Sequence, residues 1–130
     1  ENYNVSELVD SCLSKNKKKT LNILNENNYT LDDCILIIRT FLVKSKRLAK
    51  LSNEVKKTNN IDATVSSSKP PIFWKEKEIV KQQLRSWSLS EVKKIIYQIN
   101  EIELLIKKHN NSSISILFDF IIETASPINS

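Results

Sequence analysis

"LDDCILIIRTFLVKSKRLAKLSNEVKK", from Leu31 to Lys57, contains neither glycine nor proline, and its apolar residues recur every three or four positions instead of alternating. That spacing predicts one long helix, the spine of an all-α fold. Thr30 stands at its start as an N-cap, and Asp32 and Asp33 put negative charge in the first turn, where the helix dipole favours it. The first half is broadly apolar. Beyond Phe41 the faces separate: at about 100° per residue, Phe41, Leu48, Leu51 and Val55 fall on one side and Arg39, Lys46, Lys50 and Lys57 on the other. The basic row reads as a solvated face or as a weak binding stripe.

Working outward, a first helix is expected over about Val5 to Leu13 and a second over about Lys15 to Glu26, using Leu21 and Leu24. Asn27 and Asn28 then occupy the place where a glycine usually ends a helix, because asparagine tolerates the left-handed conformation. After the spine, "TNNIDATVSSSKPP" has few large apolar residues and reads as an internal loop at about 58–71. Pro70 and Pro71 set the start of a fourth helix whose core stripe is Phe73, Val80, Leu84 and Trp87. Ser88 and Glu91 form a capping box that opens a fifth, with Val92, Ile95, Ile96, Ile99, Ile102 and Ile106 as its apolar face. A sixth covers about Ser113 to Thr124. The expected architecture is an all-α helical bundle of five to six helices, one domain over residues 1–130.

The absence of glycine excludes a Walker A loop and a dinucleotide-binding turn, both of which need backbone close to phosphate. No cofactor site is expected, and no serine stands in a nucleophile elbow. His109, the single histidine, lies beside Lys107 and Lys108 at a helix end, without a carboxylate or thiol at metal-ligand spacing. Asp32 and Asp33 diverge by about 100° on a helix, which suits helix-start chemistry better than paired acid–base work. No catalytic or metal-binding set is assigned, and the chain is read as non-catalytic. Cys12 and Cys34 lie in separate apolar runs and are expected as buried, reduced thiols of a cytoplasmic protein. The runs "CILII" and "ISILFDFII" fall far short of the roughly 20 residues that span a bilayer. With no methionine and a start at Glu1, the chain is read as a piece of a longer protein.

Three groups of residues are candidates for function. Trp74, rotated by about 100° from Phe73 toward Lys77, Lys81 and Arg85, offers a stacking plane next to cations, the chemistry that single-stranded DNA needs. Packing of Trp74 beneath the preceding loop is the alternative. Lys46 and Lys50 of the basic row extend the possible DNA contact. Phe118, Phe120 and Ile122 belong to a last helix apolar on more than one face, which is either central to its own domain or shared with a partner. Glu103 lies on the stripe of Ile96, Ile99 and Ile106, and Lys107 follows at i+4 in the favourable order for an ion pair, with a cation of the spine helix also in reach.

Taken in order, these parts resemble the C-terminal domain of the delta subunit of bacterial DNA polymerase III, a clamp-loader component. The likeness is carried by "ELVDSCLSKNKKKTLNILNENNYTLDDCILIIRTFLVKSKRL", by "PPIFWKEK" and by "VKKIIYQINEIELLIKK", whose Glu103 and Lys107 match the family's glutamate-then-lysine pattern ahead of a leucine- or isoleucine-rich last helix. It covers about Val5 to Thr124, and it departs from the usual pattern in having no turn glycine near Asn28. The resemblance implies a collar-type domain that packs with the other clamp-loader subunits, supporting loading of the sliding clamp onto primed DNA in replication. It implies further that the clamp is gripped only through N-terminal domains outside this chain. From composition alone, with a formal net charge of +5, a different reading stands beside it. That alternative is a free-standing helical nucleic-acid-binding module, and neither reading involves a membrane.

Overall fold

The computed structural model describes residues 4–126. Among them are seven α-helices and no strand: α1 (Val5–Leu13), α2 (Lys17–Asn25), α3 (Leu31–Thr58), α4 (Ile61–Ser66), α5 (Lys77–Ser86), α6 (Leu89–Lys108) and α7 (Ser113–Ala125). Single 3-10 turns at Trp74–Glu76 and Asn110–Ser112 lead into α5 and α7. The chain is thus an all-α bundle with one helix more than the upper expectation.

Side-chain caps define most of the starts. Asn4, Asn16 and Asn60 accept hydrogen bonds from the backbone N–H of Glu7, Lys19 and Ala63, opening α1, α2 and α4. Thr30 with Asp33, and Ser88 with Glu91, form complete capping boxes on α3 and α6, each satisfying two otherwise orphaned N–H groups. Two residues take over glycine's left-handed role. Asn59 (φ 55°) ends α3, its N–H bonding Val55 O at 2.7 Å, and Lys15 (φ 59°) turns the chain between α1 and α2. That turn delays α2 to Lys17. Asn27 and Asn28 do not adopt the left-handed conformation expected of them; Asn27 Nδ2 instead donates to Ile23 O at 2.8 Å. A side-chain amide satisfies one C-terminal carbonyl without reversing the backbone.

The long helix α3 is the spine, in contact with α1, α4, α5, α6 and α7. Its inner face buries Cys34, Ile37, Ile38, Phe41, Leu48 and Leu51. Phe41 meets Phe120 of α7 edge-on at 5.5 Å and 72°, a geometry worth about 0.5–1.5 kcal/mol beyond area burial. The buried residues of all seven helices join in one cluster that includes Val92, Ile95, Ile99 and Ile106 of α6. Val80 and Leu84 of α5 are buried as expected, and Trp87 closes the stripe, its Nε1 donating to Leu13 O at 2.6 Å beneath Lys15 Nζ, 4.2 Å from the ring centroid. Gln83 donates to Asp10 O and Ser14 Oγ, both at 3.2 Å. The end of α1 is therefore bolted to α5.

Two expectations are corrected. The segment at about 58–71 is not wholly a loop, because Asn60 caps the six residues of α4, which bury Val65 and Thr64. With one strongly buried apolar residue, α4 carries almost no periodicity for a sequence to display. Phe73 is not the core anchor of the following helix. Its backbone (φ −53°, ψ 132°) is extended, so the helical phase does not reach back to it, and Ile72 enters the core in its place. Ile72 is 4% exposed; Phe73 is 54% exposed.

Candidate nucleic-acid interface

The stretch from Ile72 to Glu76 is held at both ends with its aromatics outside. Ile72 packs into the core at one end. At the other, the Glu76 carboxylate lies 3.1 Å from Arg47 and 3.5 Å from Lys44, both on α3. Burial pushes Glu76 up, but Lys44 and Arg47 together outweigh it and hold the carboxyl below its ordinary range. Lys44, itself nearly buried, also reaches Asp10 of α1 at 3.0 Å. Burial raises Asp10 above the usual carboxylate range in spite of that contact. One lysine thus ties α1, α3 and the 3-10 turn together.

Between these anchors Trp74 is 69% exposed, and its ring centroid lies 6.0 Å from that of Phe73 at an angle of 55°. Lys75 Nζ sits 5.4 Å from the Trp74 centroid, within cation–π range. Lys50 Nζ donates to Lys69 O at 2.9 Å, which brings the basic row of α3 up to the proline segment, and Lys46, one turn earlier, is exposed. Phe73, Trp74, Lys46, Lys50 and Lys75 therefore offer two aromatic faces and three cations. This is equipment for stacking bases and meeting phosphates.

The other predicted contacts are placed differently. Lys81 is paired with Asp62 at 3.2 Å and with Glu78 at 3.1 Å, and the hydrogen bonds to Glu78 and Asp62 raise its ammonium above the ordinary range. It fastens α4 to α5 and is not a free cation. Lys77 is half-buried, while Arg85 is exposed beside Asn59, Asn60, Ile61 and Asp62, at the end of α3. Lys75 escaped the sequence reading because helical phase was carried through a 3-10 turn.

Of the residues expected at a subunit interface, Phe120 is core, buried against Phe41. Phe118 is half-buried and edge-on to Tyr29 at 5.3 Å, and Ile122 is half-buried. The physical reason is that α7 is packed by α1, α2, α3 and α6, so its own chain covers most of its apolar circumference. On α7 only Ile114, at its start, is an exposed large apolar residue among those described, and the more exposed ones lie elsewhere, at Leu36 and Val43 on α3 and at Tyr97 and Leu104 on α6. Leu36 and Val43 flank Arg39 at i−3 and i+4 on the face of the basic row, a mixed pattern that reads in sequence as merely polar. Glu103 joins these helices: its carboxylate is 2.8 Å from Lys107 and 3.5 Å from Arg39. The hydrogen bond from Lys107 lowers its pKa, with Arg39 adding to the effect.

His109 is exposed at the C-cap of α6. Cys12 and Cys34 are both free and buried; Cys12 Sγ donates to Ile121 O at 3.3 Å, and burial raises its pKa. Among the described residues no group of three or more His, Cys, Asp or Glu is arranged to hold a metal ion, and no helix is long and apolar enough to cross a membrane. No family model, curated protein or solved structure matches the chain.

Proposed function

We propose that this chain is the collar-type assembly domain of a clamp-loader delta subunit and that it touches the DNA being loaded through Phe73 and Trp74. The observation that carries the reading is the exposed aromatic pair, held outward by Ile72 and Glu76 with Lys75 against the indole and Lys50 bonded to Lys69 O just before it, inside one of the stretches that bear the resemblance. An isolated helical domain has no reason of stability to leave an indole mostly in water beside lysines. Exposed Leu36, Val43, Tyr97 and Leu104 support the assembly half of the proposal, since large apolar side chains left in solvent suit packing against neighbouring subunits. In this reading the domain performs no chemistry. It contributes packing surface to a ring of helical domains and a stacking platform for unpaired bases.

The test is co-expression with the other clamp-loader subunits, followed by sizing and by binding of primed DNA. Formation of a stable complex that resists salt, in which Trp74→Ala weakens single-stranded or primed DNA binding by about 1–3 kcal/mol without lowering the melting temperature, is the expected result. No complex, together with DNA affinity of the isolated chain that falls steeply with salt, points to the free-standing nucleic-acid-binding module instead. A complex whose DNA affinity ignores Trp74→Ala removes the stacking role and leaves assembly alone.

A further inference from the structure

The hairpin of α6 and α7 encloses a groove of about 390 Å³ whose floor is apolar and whose rim is acidic. Ile102 and Leu105 of α6 and Ile116 of α7 line it, with Glu101, Asp119 and Glu123 around them. Within each helix these residues fall on one face at spacings of three, four and seven. The three carboxylates are exposed, and none of them is in an ion pair among the described residues. Glu7, Asp10, Asp62, Glu76, Glu78 and Glu103 have a cation partner within 4.0 Å, and although Glu26, Asp32, Asp33, Glu54 and Glu91 are also outside any ion pair among the described residues, none of them lines this groove. In a chain with a formal net charge of +5, three unpaired carboxylates around one apolar groove are a local reversal of sign.

We propose that this groove docks a basic amphipathic helix supplied by a partner protein. Apolar side chains of the incoming helix lie against Ile102, Leu105 and Ile116, while its lysines or arginines meet Glu101, Asp119 and Glu123. Both halves of the surface are needed for the choice of occupant. An apolar floor alone accepts any greasy segment, whereas the acidic rim selects a basic helix and repels an acidic one. From Gln98, which also lines the groove, to Leu105, α6 contributes about 10 Å along its axis at 1.5 Å per residue, which matches two turns of an incoming helix. Residues at i, i+3 and i+4 of such a helix present one apolar edge to a groove of this kind. The site lies on elements other than those carrying Trp74 and does not depend on the clamp-loader reading.

The probe is a fluorescein-labelled peptide of leucine and lysine, roughly 14 residues patterned as an amphipathic helix of four turns. Two controls accompany it: the same peptide with glutamate for lysine, and one with proline substitutions that prevent the helix. Fluorescence anisotropy should show binding of the basic helix and none of either control, weakening as salt rises. Two rim pairs of ordinary surface strength lead us to expect that Glu101→Lys with Glu123→Lys lowers affinity roughly tenfold. Leu105→Asp should abolish binding while far-UV circular dichroism and melting remain those of the parent chain, and Trp74→Ala should leave it unchanged. Equal binding of the acidic peptide, or an affinity indifferent to the rim reversal, overturns the proposal. So does sedimentation showing that the groove is closed by a second copy of the chain and that the peptide cannot compete with it.

Discussion

Ile72 and Phe73 exchange the roles that helical phase assigns to them, and truncating each in turn tests that exchange. Ile72 is 4% exposed and belongs to the buried cluster. Ile→Ala in a core costs about 2–5 kcal/mol, and because Ile72 precedes a short 3-10 turn that can relax, we expect the lower part of that range, about 2–3 kcal/mol. Phe73 is 54% exposed, so its ring keeps roughly half of its area in water in the folded state. Complete burial of such a side chain is worth about 1.5–3 kcal/mol, and half of that gives about 1 kcal/mol for Phe73→Ala. Urea unfolding followed at 222 nm separates the two. With a slope near 2 kcal/mol per molar, typical of small domains, Ile72→Ala should lower the midpoint by about 1–1.5 M and Phe73→Ala by no more than about 0.5 M. Ile72→Val should cost about 1 kcal/mol, well short of Ile72→Ala. A larger loss from Phe73→Ala than from Ile72→Ala would refute the assignment of Ile72 as anchor and restore the phase argument.

Trp87→Phe keeps most of the buried ring but leaves Leu13 O without the indole N–H that reaches it at 2.6 Å, so thermal unfolding should report a loss of about 1–3 kcal/mol. Lys44→Met leaves the partly buried Asp10 carboxylate without its cation, and chemical denaturation at neutral pH should find the variant about 3–5 kcal/mol less stable. Because burial already raises Asp10, its protonated form is favoured by the fold, and the deficit should shrink toward acid pH as Asp10 takes up a proton. Glu103 has the opposite sign: the Lys107 hydrogen bond holds its folded pKa below the ordinary glutamate value, so its contribution is present above that ordinary value and is lost as pH falls through the folded one. Glu103→Gln should therefore be less stable than the parent at neutral pH, with the two denaturation midpoints converging in acid.

Residues that act within a few positions of themselves were legible without the structure. Thr30 and Asp33, or Ser88 and Glu91, need only local geometry to cap a helix, so the starts of α3 and α6 follow from spacing. The same holds for the pair of Glu103 with Lys107, four residues apart on one helix face. The long apolar period of Leu31 to Thr58 likewise determines a helix that must be covered on one side, and with it an all-α bundle. Tertiary packing decided the rest. Which side of α7 remains uncovered depends on four other helices, and they put Phe120 against Phe41 where sequence alone shows only an apolar residue. Whether Lys81 is free depends on α4, an element too short to announce itself, whose Asp62 neutralises it. Trp74 points outward because Ile72 is drawn into the core and Glu76 is drawn onto Lys44 and Arg47, contacts across about 30 residues of chain. Helical phase fails at that point for a physical reason: a 3-10 turn advances each residue by about 120° instead of 100°, and an extended residue before it breaks the count altogether.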